Sequence, residues 1–155
     1  MPGSAGVNRE RLGADSPPQE RGILIDDSDW PVARSQWPKR NLSDSELDDY
    51  LRWASGIARR GELYVFVADA RYAKPPSSTQ RAMISTHTKL DATHTQRWLA
   101  ASCVVVPSGP LALMLDALRV VSSPPFPMKN FSDYRQAEAW GREQLNRRRV
   151  GLGVK

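Results

Sequence analysis

The stretch Leu63-Tyr64-Val65-Phe66-Val67-Ala68-Asp69-Ala70, continued by the polar segment Arg71 to Pro76 and then Ser77-Ser78-Thr79, decides the fold. An unbroken apolar series, rich in β-branched and aromatic residues and ended by an aspartate, predicts a strand buried on both faces. Such a strand belongs in the middle of a sheet. In open α/β sheets, ligands and partners bind in the crevice beyond the carboxyl ends of the strands. The loop from Arg71 and the helix start near Ser77 are therefore the place to look for function.

Upstream, Ser43-Asp44-Ser45-Glu46 fits a capping box, with a hydroxyl and a carboxylate reciprocally satisfying the first amide groups of a helix. Leu47, Tyr50, Leu51, Ala54, Ile57 and Ala58 then recur at intervals of three and four, and Gly61 follows as a C-terminal stop. Further back, Ile23 to Asp26 and Trp30 to Ser35 flank the turn formers Asp27-Ser28-Asp29 and predict a β-hairpin, with Pro31 confining its strand to an edge or to a start after the proline. Residues 1–21 hold almost no large apolar side chain. Such a composition does not offset the entropy of ordering and predicts a disordered tail.

Downstream, Pro75-Pro76 block a helix until Ser77 or Ser78 can cap one, whose face would carry Met83, His87 and Leu90 and continue to His94. Ser102 to Val106 reads as a second buried strand. Ser108-Gly109-Pro110 opens a helix that is apolar round much of its circumference, through Leu111, Leu113, Met114, Leu115, Leu118, Val120 and Val121, and that is expected to be largely covered. The proline-rich segment 122–127 cannot be helical. Met128 to Phe131 suits an edge strand, and Ser132-Asp133 caps a last helix carrying Tyr134, Ala137, Trp140 and Leu145. The order ββαβαβαβα predicts one α/β domain over residues 22–149, a mixed and mainly parallel five-stranded sheet flanked by about four helices, with residues 150–155 as a flexible tail.

Composition bounds the function. A chain of 155 residues suits one domain. Its net charge of +5 is spread along the chain, which reads as solvated charge and not as a nucleic-acid surface. The single cysteine, Cys103, excludes an internal disulfide and sits in an apolar run as a small buried hydrophobe. There is neither an apolar run of about 18 residues nor the apolar core of a signal peptide, so no integral membrane segment and a cytoplasmic location are expected.

No catalytic chemistry stands out. His87 and His94 share a helix face but lack the further ligands a metal needs. Ser77, His87 and Asp69 make a hydrolase triad only on paper, without a strand-turn-helix nucleophile motif. Asp26, Asp27 and Asp29 are explained by turn chemistry and do not have calcium-loop spacing. No glycine-rich phosphate loop follows either strong strand. No metal, no cofactor and no catalytic residue are predicted. Ser77, Ser78 and Thr79 have two readings, simple caps or phosphorylation sites at a helix N-terminus, where added negative charge meets the helix dipole. Trp53 lies off the apolar face of its helix, as a surface aromatic for a partner or a flank packed on a loop.

In element order and in several motifs the chain resembles the SpoIIAA-like group of STAS and STAS/SEC14-type domains. The resemblance rests on Asp27-Ser28-Asp29-Trp30-Pro31, the helix from Ser43 to before Gly61, and the strand Leu63 to Ala68 followed by Asp69-Ala70-Arg71. It also rests on Gln80-Arg81, on Val104 to Pro107, and on Pro124 to Phe131 with Glu138-Ala139-Trp140, and it spans about Gly22 to Leu145. It implies a STAS-like fold and a non-catalytic regulatory role in bacterial signalling, through a protein partner such as a kinase, an anti-sigma factor or another switch protein. It also implies control at the start of the helix after the central strand, here Ser77, Ser78 or Thr79. The chain departs from the antagonist pattern there, with Lys74-Pro75-Pro76-Ser77-Ser78 in place of an Asp-Ser-Ser-Gly type motif. The expected partner surface is Asp69, Arg71, Tyr72, Lys74 and Arg81. The SEC14-like side of the resemblance implies the alternative, a small apolar, lipid-like ligand between helices and sheet, with Leu111, Met114, Leu115 and Leu118 as a wall. A hydrolase is the third reading.

Overall fold

A computed structural model describes residues 7–153, with the side chains of Leu118, Val121 and Ser122 outside the described set. The elements are β1 (Val7–Arg9), β2 (Ile23–Asp29), β3 (Val32–Gln36), α1 (Asp44–Ala58), β4 (Tyr64–Asp69), α2 (Ser78–Leu90), α3 (Ala92–Trp98), β5 (Leu99–Val105), α4 (Pro110–Ser122), β6 (Met128–Phe131) and α5 (Tyr134–Gly151). The strands lie side by side in chain order in one sheet. The β2–β3 hairpin is antiparallel and every other pair is parallel.

As the apolar run predicted, β4 is central, pairing with β3 through Val65↔Val32 and with β5 through Val67↔Cys103. Strand alternation divides its side chains between two layers. Val65 and Val67 join Val32, Cys103 and Val105 under α5, which supplies Tyr134, Ala137 and Leu145. α5 lies so close that a Cβ on Gly141 would stand 2.6 Å from Val65 Cγ1 and 3.0 Å from Cys103 Sγ. On the opposite face, α1 packs Leu47, Tyr50 and Leu51 against Ile23 and Ile25. Its last turn sets Ile57 and Ala58 on Ala33, Tyr64 and Leu99. The capping box at Ser43 and Glu46 forms as read.

Four expectations change. The sheet has six strands, because the described part of the expected disordered tail, residues 7–21, is ordered, residues 1–6 lying outside the described residues: Val7–Arg9 pairs with Ile23–Ile25, and residues 10–21 lie along the body as a strap. Polar groups order it. Leu12 N donates to Asp26 Oδ2 at 2.9 Å, the Gln36 amide to Pro17 O at 2.9 Å, and Lys39 N to Gln19 O at 2.7 Å. Apolar composition cannot report such bonds. The second change is that there are five helices among the described residues, the long one after β4 breaking at Asp91 into α2 and α3. α1 holds that carboxylate through Ser55 Oγ and Arg59 at 2.6 Å each.

The third change concerns α4. It is not covered as its composition demanded; Leu113 and Val120 are 71% and 73% exposed. α4 meets the sheet mainly through Leu111, Ala112 and Leu115 at Val104, Val106 and Met128. The fourth change is at the C-terminus, where α5 continues to Gly151, through the first residues of the expected tail. Among the described residues, no helix is long and apolar enough to cross a membrane.

Candidate functional site

The opening segment does lead to a site, but the site is a cavity. Between the sheet and α1, α2 and α4 lies a space of about 330 Å³. Its floor is Phe66, Ala68 and Ala70 with Ser102 and Val104, all from the face of the sheet opposite α5. Three of these five side chains are very small, so the floor is low where β4 and β5 run between α2 and α4. The walls are Tyr50 and Ala54 of α1, Ile84 and Thr88 of α2, and Leu111 and Leu115 of α4. The lining is overwhelmingly apolar, and apolar pockets of a few hundred Å³ with a few convergent polar groups are the usual form of a small-molecule site.

The two ends differ. At the carboxyl ends of the strands the mouth is formed by Lys74, Pro76 and Arg81. Lys74 is exposed, and Arg81 is half-buried with one guanidinium nitrogen donating to Pro76 O at 3.0 Å. The far end holds Tyr64, Asp91, Thr95, Leu99, Phe126 and Arg119. There Ser55 Oγ donates to Asp91 Oδ2 at 2.6 Å, Arg59 pairs with Asp91 Oδ1 at 2.6 Å, and His87 Nδ1 lies 3.4 Å from Ser55 Oγ. These groups join serine, histidine and aspartate in the wrong order for nucleophilic catalysis. The hydroxyl gives its proton to a carboxylate already neutralised by arginine, and the imidazole does not bridge the two. The cluster ties α1 to the α2–α3 junction. Burial, with the nearby Asp91 charge, pushes the Tyr64 phenol above its ordinary range.

The residues singled out from the sequence fall into three groups. Ser77 is a cap: its Oγ accepts from Gln80 N and Gln80 Oε1 accepts from Ser77 N, both at 3.1 Å. The Gln80 amide donates to Leu42 O at 2.7 Å, tying the start of α2 to the approach to α1. Ser78 and Thr79 are exposed in the first turn of α2.

Asp69 and Arg71 do not belong to a partner surface as expected. Asp69 is 2% exposed and pairs with Arg71 at 2.7 Å, while Arg71 reaches Ala14 O at 2.8 Å. The Arg71 guanidinium also lies over the rings of Tyr72 and Tyr134, and Tyr72 is half-buried beside it. A buried carboxylate needs its charge met internally, which takes Asp69 out of reach of a partner and turns the Arg71 guanidinium inward onto it.

Lys74 and Arg81 instead belong to the mouth. Of the expected apolar wall, Leu111 and Leu115 line the cavity, Met114 does not, and the side chain of Leu118 lies outside the described residues.

The paper triad does not assemble. Ser77 is held by Gln80, Asp69 by Arg71, and His87 lies ten residues beyond Ser77 on the helix, about 15 Å along its axis. Among the described residues no three His, Cys, Asp or Glu side chains converge to hold a metal. The Asp26, Asp27 and Asp29 cluster is absorbed by the fold. Burial opposes the Asp26 charge, but hydrogen bonds from Ser28 and Leu12 outweigh it and hold its carboxyl below the usual range. Asp29 is lowered chiefly by its bond from Arg34.

Burial pushes the Cys103 thiol up to about 12, as suits a packed hydrophobe. Trp53 packs against Tyr50 and Phe66 and is not a free surface aromatic. The sequence reading missed Ala68, Ala70 and Ser102. Their one signal was small residues at same-face positions of two central strands. No protein-family model, curated protein or solved structure matches this chain.

Proposed function

We propose that this domain is a non-catalytic binding module whose cavity takes a small apolar ligand. The observation that carries the reading is the cavity itself, about 330 Å³ walled by α1, α2 and α4 over a floor of small residues. A concave, mostly apolar space of this size with a few polar groups at its ends is the usual form of a small-molecule site. The likeness to STAS/SEC14-type domains adds the expectation of a ligand between helices and sheet. A neutral fluorescent probe, N-phenyl-1-naphthylamine, should bind saturably and with one-to-one stoichiometry. Ala68→Leu, which raises the floor, should abolish that binding while leaving the circular dichroism spectrum and unfolding midpoint intact. Saturable binding undiminished in Ala68→Leu, or no binding by the wild-type protein, refutes the reading.

A second reading, regulation of a protein partner such as a kinase or anti-sigma factor, is favoured by the exposed Ser78 and Thr79. They lie in the first turn of α2, which carries no acidic residue. A phosphate there would meet the positive end of the helix dipole with no acidic residue in its own turn. Ser77 is the weakest of the three candidates, since its hydroxyl already serves the cap. Phosphopeptide mapping of protein from its native cells tests this, and unmodified Ser78 and Thr79 under all growth conditions would count against it.

A further inference from the structure

The cavity is apolar inside but cationic at one mouth. Lys74 and Arg81 both line the carboxyl-end opening, on either side of Pro76. Among the described residues neither forms an ion pair, and Arg81 has only the neutral carbonyl of Pro76 as a side-chain partner. Asp44, which faces the start of α2, accepts from the Gln80 amide at 3.2 Å and pairs with neither cation. The remaining charges in the lining are already met: Asp91 by Arg59 at 2.6 Å, and Arg119 by Asp116 at 3.9 Å together with the Met128 carbonyl at 3.3 Å. The site therefore places its two cations that have no ion-pair partner at one end of an apolar trough.

We infer that the ligand is a single-chain amphiphile with an anionic oxygen head, held at the mouth by Lys74 and Arg81 with its tail laid between α2 and α4. This rests on the cavity reading above and specifies the ligand's chemistry. A space of about 330 Å³ is at the small end of small-molecule sites and suits one short alkyl tail, not two. A carboxylate or a phosphate monoester satisfies the same two donors, as charge-assisted hydrogen bonds to guanidinium and ammonium groups.

The test is calorimetric titration of the full chain, below the micelle concentration, with decanoate, decyl phosphate, decanol and decyltrimethylammonium. At least one of the two anions should bind about ten-fold tighter than decanol, with decyltrimethylammonium weakest, and the tighter anion identifies the head. In Lys74→Gln/Arg81→Gln the gap between anion and alcohol should shrink to less than about two-fold with decanol affinity unchanged, and Arg81→Lys should keep most of it. If the double variant fails to fold, Lys74→Gln alone, at an exposed position, should still lose part of the gap. Decanol binding as tightly as both anions, or decyltrimethylammonium binding tightest, overturns the inference and leaves the cavity reading standing. Failure of all four to bind removes both. A dimer in sedimentation that decanoate does not disperse assigns the trough to a second copy of the chain and also overturns the inference.

Discussion

Gly141→Ala tests how closely α5 must approach the sheet. The added Cβ would stand 2.6 Å from Val65 Cγ1 and 3.0 Å from Cys103 Sγ, against about 3.5–4.0 Å for ordinary carbon contact. Neither neighbour can retreat easily. Val65 is fully buried in the central strand and Cys103 is fully buried in the next. α5 is pinned on both sides of the glycine by Ala137 and Leu145. Overpacking costs about 1–3 kcal/mol, and a contact this short against two fully buried neighbours falls in the upper part of that range, about 2–3 kcal/mol; alanine regains about 1 kcal/mol of helix propensity, so a net loss of about 1–2 kcal/mol is expected. For a domain of this size that lowers the unfolding midpoint by about 3–6 °C.

Gly56→Ala is the matched control. It lies in α1, is exposed, and would place its Cβ with nothing within 4 Å. It should gain about 0.5–1 kcal/mol. Tryptophan fluorescence during urea unfolding reads both variants, and probe binding should survive in Gly141→Ala because the cavity lies on the other face of the sheet. A Gly141→Ala protein as stable as wild type would refute the close approach of α5 to β4 and β5.

Two further outcomes are expected. Arg71→Met leaves Asp69 charged and buried and releases the Ala14 carbonyl, so it should cost about 3 kcal/mol and speed proteolytic cleavage within residues 10–21; unchanged cleavage would show that the strap is held without the clasp. Arg40 beside Glu46 holds that carboxyl near 2 from an ordinary 4.5. Because the folded value is the lower one, the stabilisation is full above about pH 5 and disappears as pH falls toward 2. Glu46→Gln should therefore flatten the loss of urea midpoint between pH 5 and pH 2, and an unaltered slope would contradict the pairing.

Local chemistry was legible in the sequence. The six-residue apolar run located the central strand, Ser43 with Glu46 located the start of α1, and Ser77 was one of two caps read for α2, the structure choosing it and closing it on Gln80. Each depends on residues a few positions apart, whose geometry the backbone dictates. The hairpin and the closing helix with Tyr134, Ala137 and Leu145 follow from short-range patterns as well.

What only the tertiary structure decided depends on groups far apart in the chain. The strap of residues 10–21 is ordered by Asp26, Gln36 and Arg71, so its own composition says nothing of it. Asp69 and Arg71 look like a charged edge in sequence, but burial of the aspartate makes them an internal clasp. The apolar circumference of α4 suggested a covered helix; instead one side roofs a cavity and Leu113 and Val120 stand exposed. The cavity itself is space that Ala68, Ala70 and Ser102 leave unfilled between helices placed by other contacts. Periodicity registers the side chains that are present, and the volume between them appears only when distant elements are set at their distances.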